Sequence, residues 1–133
     1  MKTFTCHKIS DGKAEGPAIV STDDVMFYLI DPKTGTVIEK EHSLEGKSIA
    51  GKIMIFPSGK GSSVVQADGF FQLMKQHNQP KGMIVQRPDT VLVTSAILFE
   101  IPMVDQVDPA FYQEVKENDT IEIDADAGLV KIL

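Results

Sequence analysis

The consecutive segments KIMIF (residues 52–56), PSGKGSS (57–63) and VVQADGFFQLMKQH (64–77) decide the fold class. KIMIF is short, β-rich and largely apolar, which reads as a buried strand. PSGKGSS is a polar Gly/Ser loop. From Val64 the apolar residues take helical spacing: Val64, Ala67, Phe71 and Met74 recur at i, i+3, i+7 and i+10, and Phe70 and Leu73 widen the stripe. Gly69 costs such a helix about 1 kcal/mol relative to Ala, which points to close packing at that position. The segment is therefore a strand–loop–helix unit.

Downstream the same alternation continues. Met83 to Gln86 reads as a second buried strand and Thr90 to Glu100 as a buried helix capped by Asp89. Pro102 to Asp105 is another strand and Asp108 to Glu117 a short surface helix. Thr120 to Leu133 closes as a hairpin turning at Asp126-Ala127-Gly128. Upstream, strands and turns dominate. Lys2 to Lys8 alternates with Phe4 and Cys6 on one face, and Ala14 to Ser21 is a second strand. The apolar run Val25 to Ile30 leads into the turn DPKTG (31–35), and Thr36 to Glu39 returns from it. The expected architecture is mixed α/β: sheet layers, or a barrel-like sheet, flanked by helices. Neither an internal repeat nor a linker-like tract divides the chain, so residues 1–133 are expected to form one domain.

Composition limits the function. The 133 residues are 42% hydrophobic and 24% charged, as in globular proteins. Thirteen Lys+Arg against nineteen Asp+Glu give a net charge of −6, with a pI near 4.9. That balance disfavours nucleic acid and anionic lipid as partners, because both require a basic face. A single cysteine rules out an intrachain disulfide and a cluster held by this chain's thiolates alone. No apolar run approaches the ~20 residues of a membrane span, and MKTFTCHKIS lacks the apolar core of a signal peptide. A cytoplasmic protein is expected.

The loop at 57–63 is where chemistry is expected. A helix N-terminus presents unpaired N–H groups and partial positive charge, which attract carboxylate or phosphate. Gly59 and Gly61 allow backbone to approach a ligand, and Lys60 adds a charge. The pattern is not a Walker A loop, because Lys60 lies between the glycines and no Ser or Thr directly follows it. Ser63-Val64-Val65-Gln66 matches a capping box, which makes Ser63 the N-cap, at a value of about 1 kcal/mol. Ser62 is then left with a free hydroxyl beside the helix's positive end, where an alkoxide would be favoured. The same residues are also compatible with a merely capped loop.

Gly12-Lys13-Ala14-Glu15-Gly16 with Ala18 to Ser21, DPKTG at 31–35, the run from His42 through GKSIAGKIMIFPSGKGSS, Ile101 to Val104 and the closing hairpin together resemble the small subunit of aconitase X type II. The resemblance spans nearly the whole chain, and SIAGKIMIFPSGKGSS is its most specific part. It implies a swivelling β/β/α domain. It also implies a hydro-lyase whose larger subunit carries an iron–sulfur cluster, in a heterodimer acting on a small hydroxy acid. Archaeal members dehydrate (R)-mevalonate 5-phosphate for isoprenoid synthesis, and bacterial relatives dehydrate cis-3-hydroxy-L-proline. The proton-accepting serine of the family falls on Ser62. Ser58, Gly59, Lys60, Gly61 and Ser63 would line the substrate, and this chain would hold no metal. Two departures stand out: Tyr28-Leu29 where members usually carry Gly-Gly, and Val64-Val65-Gln66 after the serines.

Other candidates read as structural. Cys6 is expected to be a small buried hydrophobe. His7, His42 and His77 lack metal-ligand spacing, and His42 reads either as a surface turn residue or as a neighbour of the site. Asp31 is expected to shape its turn. Asp23-Asp24 and Asp124 to Asp126 read as solvated turns, and Arg87, the only arginine, as a loop residue. Three readings remain open: a catalytic subunit supplying Ser62, a non-catalytic swivel module, and a small-anion binder.

Overall fold

A computed structural model describes residues 1–133. Its strands are β1 (Lys2–Thr5), β2 (His7–Ser10), β3 (Lys13–Val20), β4 (Ile30–Asp31), β5 (Thr36–Val37), β6 (Ile53–Phe56), β7 (Gly82–Val85), β8 (Met103–Asp105), β9 (Thr120–Asp124) and β10 (Leu129–Ile132). The helices are α1 (Ser63–Lys75), α2 (Thr90–Leu98) and α3 (Ala110–Glu114), and a 3-10 turn occupies Phe27–Leu29. No helix is long and apolar enough to cross a membrane.

Eight strands form one sheet in the order β1-β10-β9-β3-β6-β7-β8-β2. β3, β6, β7 and β8 run parallel, and the remaining pairings are antiparallel. β1 and β2 stand at opposite ends of this order, yet only Cys6 separates them in the chain. The sheet must therefore curl back on itself as a barrel. Cys6 marks the crossing, and its N–H donates to the Gly128 carbonyl at 2.9 Å. This corrects the sequence expectation of one strand over Lys2 to Lys8, because the two halves pair with different partners, β10 and β8.

Strand alternation produces two cores. Ile53 and Ile55 point into the barrel with Phe4, Ala18, Ile84, Val104, Ile121, Ile123 and Val130. Met54 and Phe56 point outward with Ile19, Met83, Val85 and Met103, beneath Phe70 and Leu73 of α1 and Leu92 and Ala96 of α2. Burial on both faces is why the central parallel strands read as unbroken apolar runs.

α1 packs on a face other than the one its spacing suggested. Its buried residues are Gln66, Gly69, Phe70 and Leu73, whereas Val64 and Phe71 are exposed. Gly69 is the cause. A Cβ there would lie 2.5 Å from the backbone carbon of Phe27, so the helix turns its glycine toward the 3-10 turn. Phe27 then stacks on Phe70 with ring centroids 4.0 Å apart. The run Val25 to Ile30 thus supplies a helical turn and a two-residue strand rather than a full hairpin arm.

Asp89 caps α2 as expected, its Oδ1 accepting from the Leu92 N–H at 2.8 Å. The helix ends at Leu98, two residues early. α3 is shorter than read, because Val115 returns to extended backbone. Asp31 shapes its turn by accepting from the Lys33 N–H at 3.0 Å.

Candidate functional site

The carboxyl ends of the parallel strands open onto the loops 21–26, 57–62, 86–89 and 106–109, the place where α/β sheets usually bind ligands. Residues 57–62 are pinned there from both sides. The Val25 N–H donates to the Ser58 carbonyl at 2.9 Å, and the Lys60 N–H donates to the Val25 carbonyl at 3.1 Å. Ser58 is buried. Gly59 packs directly against two side chains: a Cβ would lie 2.4 Å from Gln66 Oε1 and 2.9 Å from Asp89 Oδ2, so both would have to shift. Gly61 has φ +102° and packs beside Met26, and its carbonyl accepts from Gln66 Nε2 at 3.2 Å. The largest cleft, about 710 Å³, lies at the other end of the strands among Ile9 to Lys13, Lys81 and Pro102, and contains none of the expected site residues.

The two serines exchange the roles expected of them. Ser62 is the N-cap of α1, with φ −68° and ψ 159°, and its Oγ accepts from the Val65 N–H at a long 3.4 Å. Ser63 is already helical and exposed. The capping box fails because Gln66 is buried and turned toward the loop, where its amide holds Gly61. Ser62 therefore stays exposed at the helix's positive end, with a weak intramolecular bond that a ligand could replace. Ser63→Ala is expected to change stability by less than about 0.5 kcal/mol. A thermal melt checks this, and a loss near 1 kcal/mol would restore Ser63 as the cap.

A family model described as the aconitase X swivel domain matches residues 3–132. The chain belongs to this family. It is 42% identical over 127 residues to the phosphomevalonate dehydratase small subunit of Methanocella arvoryzae, covering 95% of this chain and 96% of that one. It is 44% identical over 127 residues to the protein of the same name from Thermococcus kodakarensis, covering 95% and 92%. Among solved structures it is similar to the holo-form crystal structure of Thermococcus kodakaraensis aconitase X, with a TM-score of 0.90, 42% identity and coverage of 100% of this chain and 99% of that one. The sheet order and the parallel centre described above are thus those of an aconitase X swivel domain.

Charge around the swivel-domain loop is largely paired. Lys60 Nζ lies 2.5 Å from Glu39 Oε2, so the charge it adds to the loop is offset by a carboxylate. Arg87 pairs with Asp24 at 3.1 Å across the neighbouring loops. Asp23 accepts from the Ser43 N–H at 2.8 Å. That backbone hydrogen bond holds its carboxyl below the usual range, assisted by the Ser43 hydroxyl, His42 and Lys60. His42 is not the surface residue it could have been. It is buried, its Nε2–H donating to the Asp24 carbonyl at 2.8 Å and its Nδ1 accepting from the Leu44 N–H at 2.9 Å. Both ring nitrogens are therefore occupied in bracing the loop that carries Asp24. Asp24, Glu39, Met26 and Gln66 all support the site, and of these only Gln66 carried a signal in the sequence.

The swivel domain's donor set does not fit an iron–sulfur cluster. Cys6, the only thiol, sits at the β1–β2 crossing. Burial, with Asp105 and Asp124 nearby, pushes its pKa up to about 11, and no group of three His, Cys, Asp or Glu side chains converges on a metal position. At pH 8 the thiolate fraction of Cys6 would be about 0.1%, against roughly a quarter for an ordinary thiol. Because the remaining thiolate is the more nucleophilic for its higher pKa, alkylation by iodoacetamide is expected to run roughly 20-fold slower than for free cysteine, and a comparable rate would contradict the burial argument.

Proposed function

We propose that this chain is the small subunit of a heterodimeric hydro-lyase that dehydrates (R)-5-phosphomevalonate, with Ser62 as proton acceptor and the iron–sulfur cluster held by the large subunit. The exposed N-cap hydroxyl of Ser62, on a loop fixed at the carboxyl ends of the parallel strands, carries the assignment of the base. The relatives named phosphomevalonate dehydratase small subunit support the substrate.

Dehydrating a β-hydroxy acid removes a weakly acidic proton beside a carboxylate and expels hydroxide. A Lewis acid assists the hydroxide's departure, and since this chain lacks the donors for a cluster, that group belongs to the partner. Ser62 must act as the alkoxide: its Oγ takes the proton from the carbon beside the carboxylate, and the electron pair left behind forms the double bond. Glu39 offsets the charge of Lys60, so the α1 terminus and the partner's cation are the fields that favour the alkoxide. The N–H groups of Ser63 and Val64 in the first turn of α1, with the Gly59 and Gly61 backbone, form the anion-facing side of the loop.

Reconstitution with the large subunit tests the reading. The pair is expected to dehydrate (R)-5-phosphomevalonate and to leave cis-3-hydroxy-L-proline unchanged. Turnover by the large subunit alone, or preference for hydroxyproline, would refute it.

A further inference from the structure

Two helices leave apolar patches uncovered. One is the end of α2, where Ile97 is 55% and Leu98 69% exposed, beside the cleft at the amino ends of the strands. The other runs along the outer face of α1, where Val64 is 77% and Phe71 51% exposed. Spaced seven residues apart, these two share a face with Asp68 and Lys75. Tyr28 and Ile38, also about half exposed, border a cleft of about 390 Å³ with Asp68, Gly69 and Gln72. The close approach of the Tyr28 backbone to Gly69 ties this cleft to the helix.

We infer that the face formed by Val64, Phe71, Tyr28 and Ile38 is where the large subunit docks. The inference rests on the reading of Ser62 given above. If Ser62 must meet a metal carried by another chain, that chain has to cover the N-terminus of α1. Ser62 and Val64 are both exposed at the first turn of α1, and Asp68, Phe71 and Lys75 carry the exposed surface onward along the helix. The face is continuous with the site on its other flank as well: Ile38 precedes Glu39, which holds Lys60, and Lys60 stands two residues before Ser62. The α2 patch has no such continuity. Its cleft is lined by residues preceding the strands, at the end remote from the loop. The matching surface on the large subunit is apolar, with a basic or hydrogen-bond-donating group opposite Asp68, because a carboxylate buried at an interface needs a partner.

The test measures association of the full-length chain with its large subunit by sedimentation velocity, alongside turnover. Phe71→Glu and Val64→Glu are each expected to weaken association at least about 30-fold, the scale of a central interface residue. Their circular dichroism and melting should stay those of the wild type, since both side chains are exposed. Leu98→Glu is expected to associate normally. Should a Glu variant misfold, Phe71→Ser and Val64→Ser serve in its place. Association within threefold of wild type for both variants would overturn the inference. So would loss of association confined to Leu98→Glu, failure of the wild-type pair to associate, or a homodimer of this chain dissolved by Phe71→Glu. Ser62→Ala separates the two readings: normal association with full turnover would sink the base assignment and leave the docking face standing.

Discussion

Turnover of the assembled enzyme is expected to fall by about 10²–10⁴-fold in Ser62→Ala, the range associated with losing a positioned general base. The reason is local. Ser62 is exposed at the N-terminus of α1, and the backbone that presents it is fixed by Val25, Gln66 and the contact at Gly59. Removing the hydroxyl leaves all of those in place. Its own bond to the Val65 N–H is 3.4 Å long, so the stability lost with it stays at or below about 1 kcal/mol. Substrate binding should change little, because the anion-facing N–H groups belong to the backbone. The expected signature is therefore a collapse of kcat with KM, assembly and melting temperature nearly unchanged. A variant that keeps its kcat would place the base elsewhere.

Gly69→Ala is expected to be the most damaging small substitution in the scaffold. A Cβ at this position would lie 2.5, 2.6 and 2.8 Å from the Phe27 carbon, the Tyr28 nitrogen and the Phe27 oxygen, all of them backbone atoms. No side chain can rotate to make room, so α1 and the 3-10 turn must separate. Their separation also disturbs the stacking of Phe27 on Phe70. Alanine regains about 1 kcal/mol of helix propensity, but overpacking against backbone costs more, and a net loss of about 2–4 kcal/mol is expected. For a domain of this size that lowers the melting point by roughly 10 °C. An unchanged or raised melting point would show that the contact is looser than described. Because the turn carries Tyr28, association with the large subunit should weaken in the same variant.

Both effects trace to features only partly visible in the chain. The strand–loop–helix at 52–77, the apolar strands at 53–56 and 82–85, the Asp89 cap and the closing hairpin were legible because each depends on neighbours within a few residues. Gly69 was legible as a close contact but not as the residue that sets which face of α1 is buried, since its contact lies some forty residues away. The capping residue is Ser62 rather than the expected Ser63 for a similar reason. Two adjacent serines satisfy overlapping patterns, and the choice was made by Gln66, which the core draws inward to hold the Gly61 carbonyl.

Strand and helix periodicity and turn chemistry are local properties, so the mixed α/β class and the position of the Gly/Ser loop could be read from the chain, while the family resemblance rested on motifs such as SIAGKIMIFPSGKGSS. Tertiary structure alone decided the curling of the sheet at Cys6, the pairing of Lys60 with Glu39 and of Arg87 with Asp24, the burial of His42, and the exposure of Val64 and Phe71. Those depend on groups brought together from distant segments, and the burial that drives them is set by the whole packed chain rather than by any window of it.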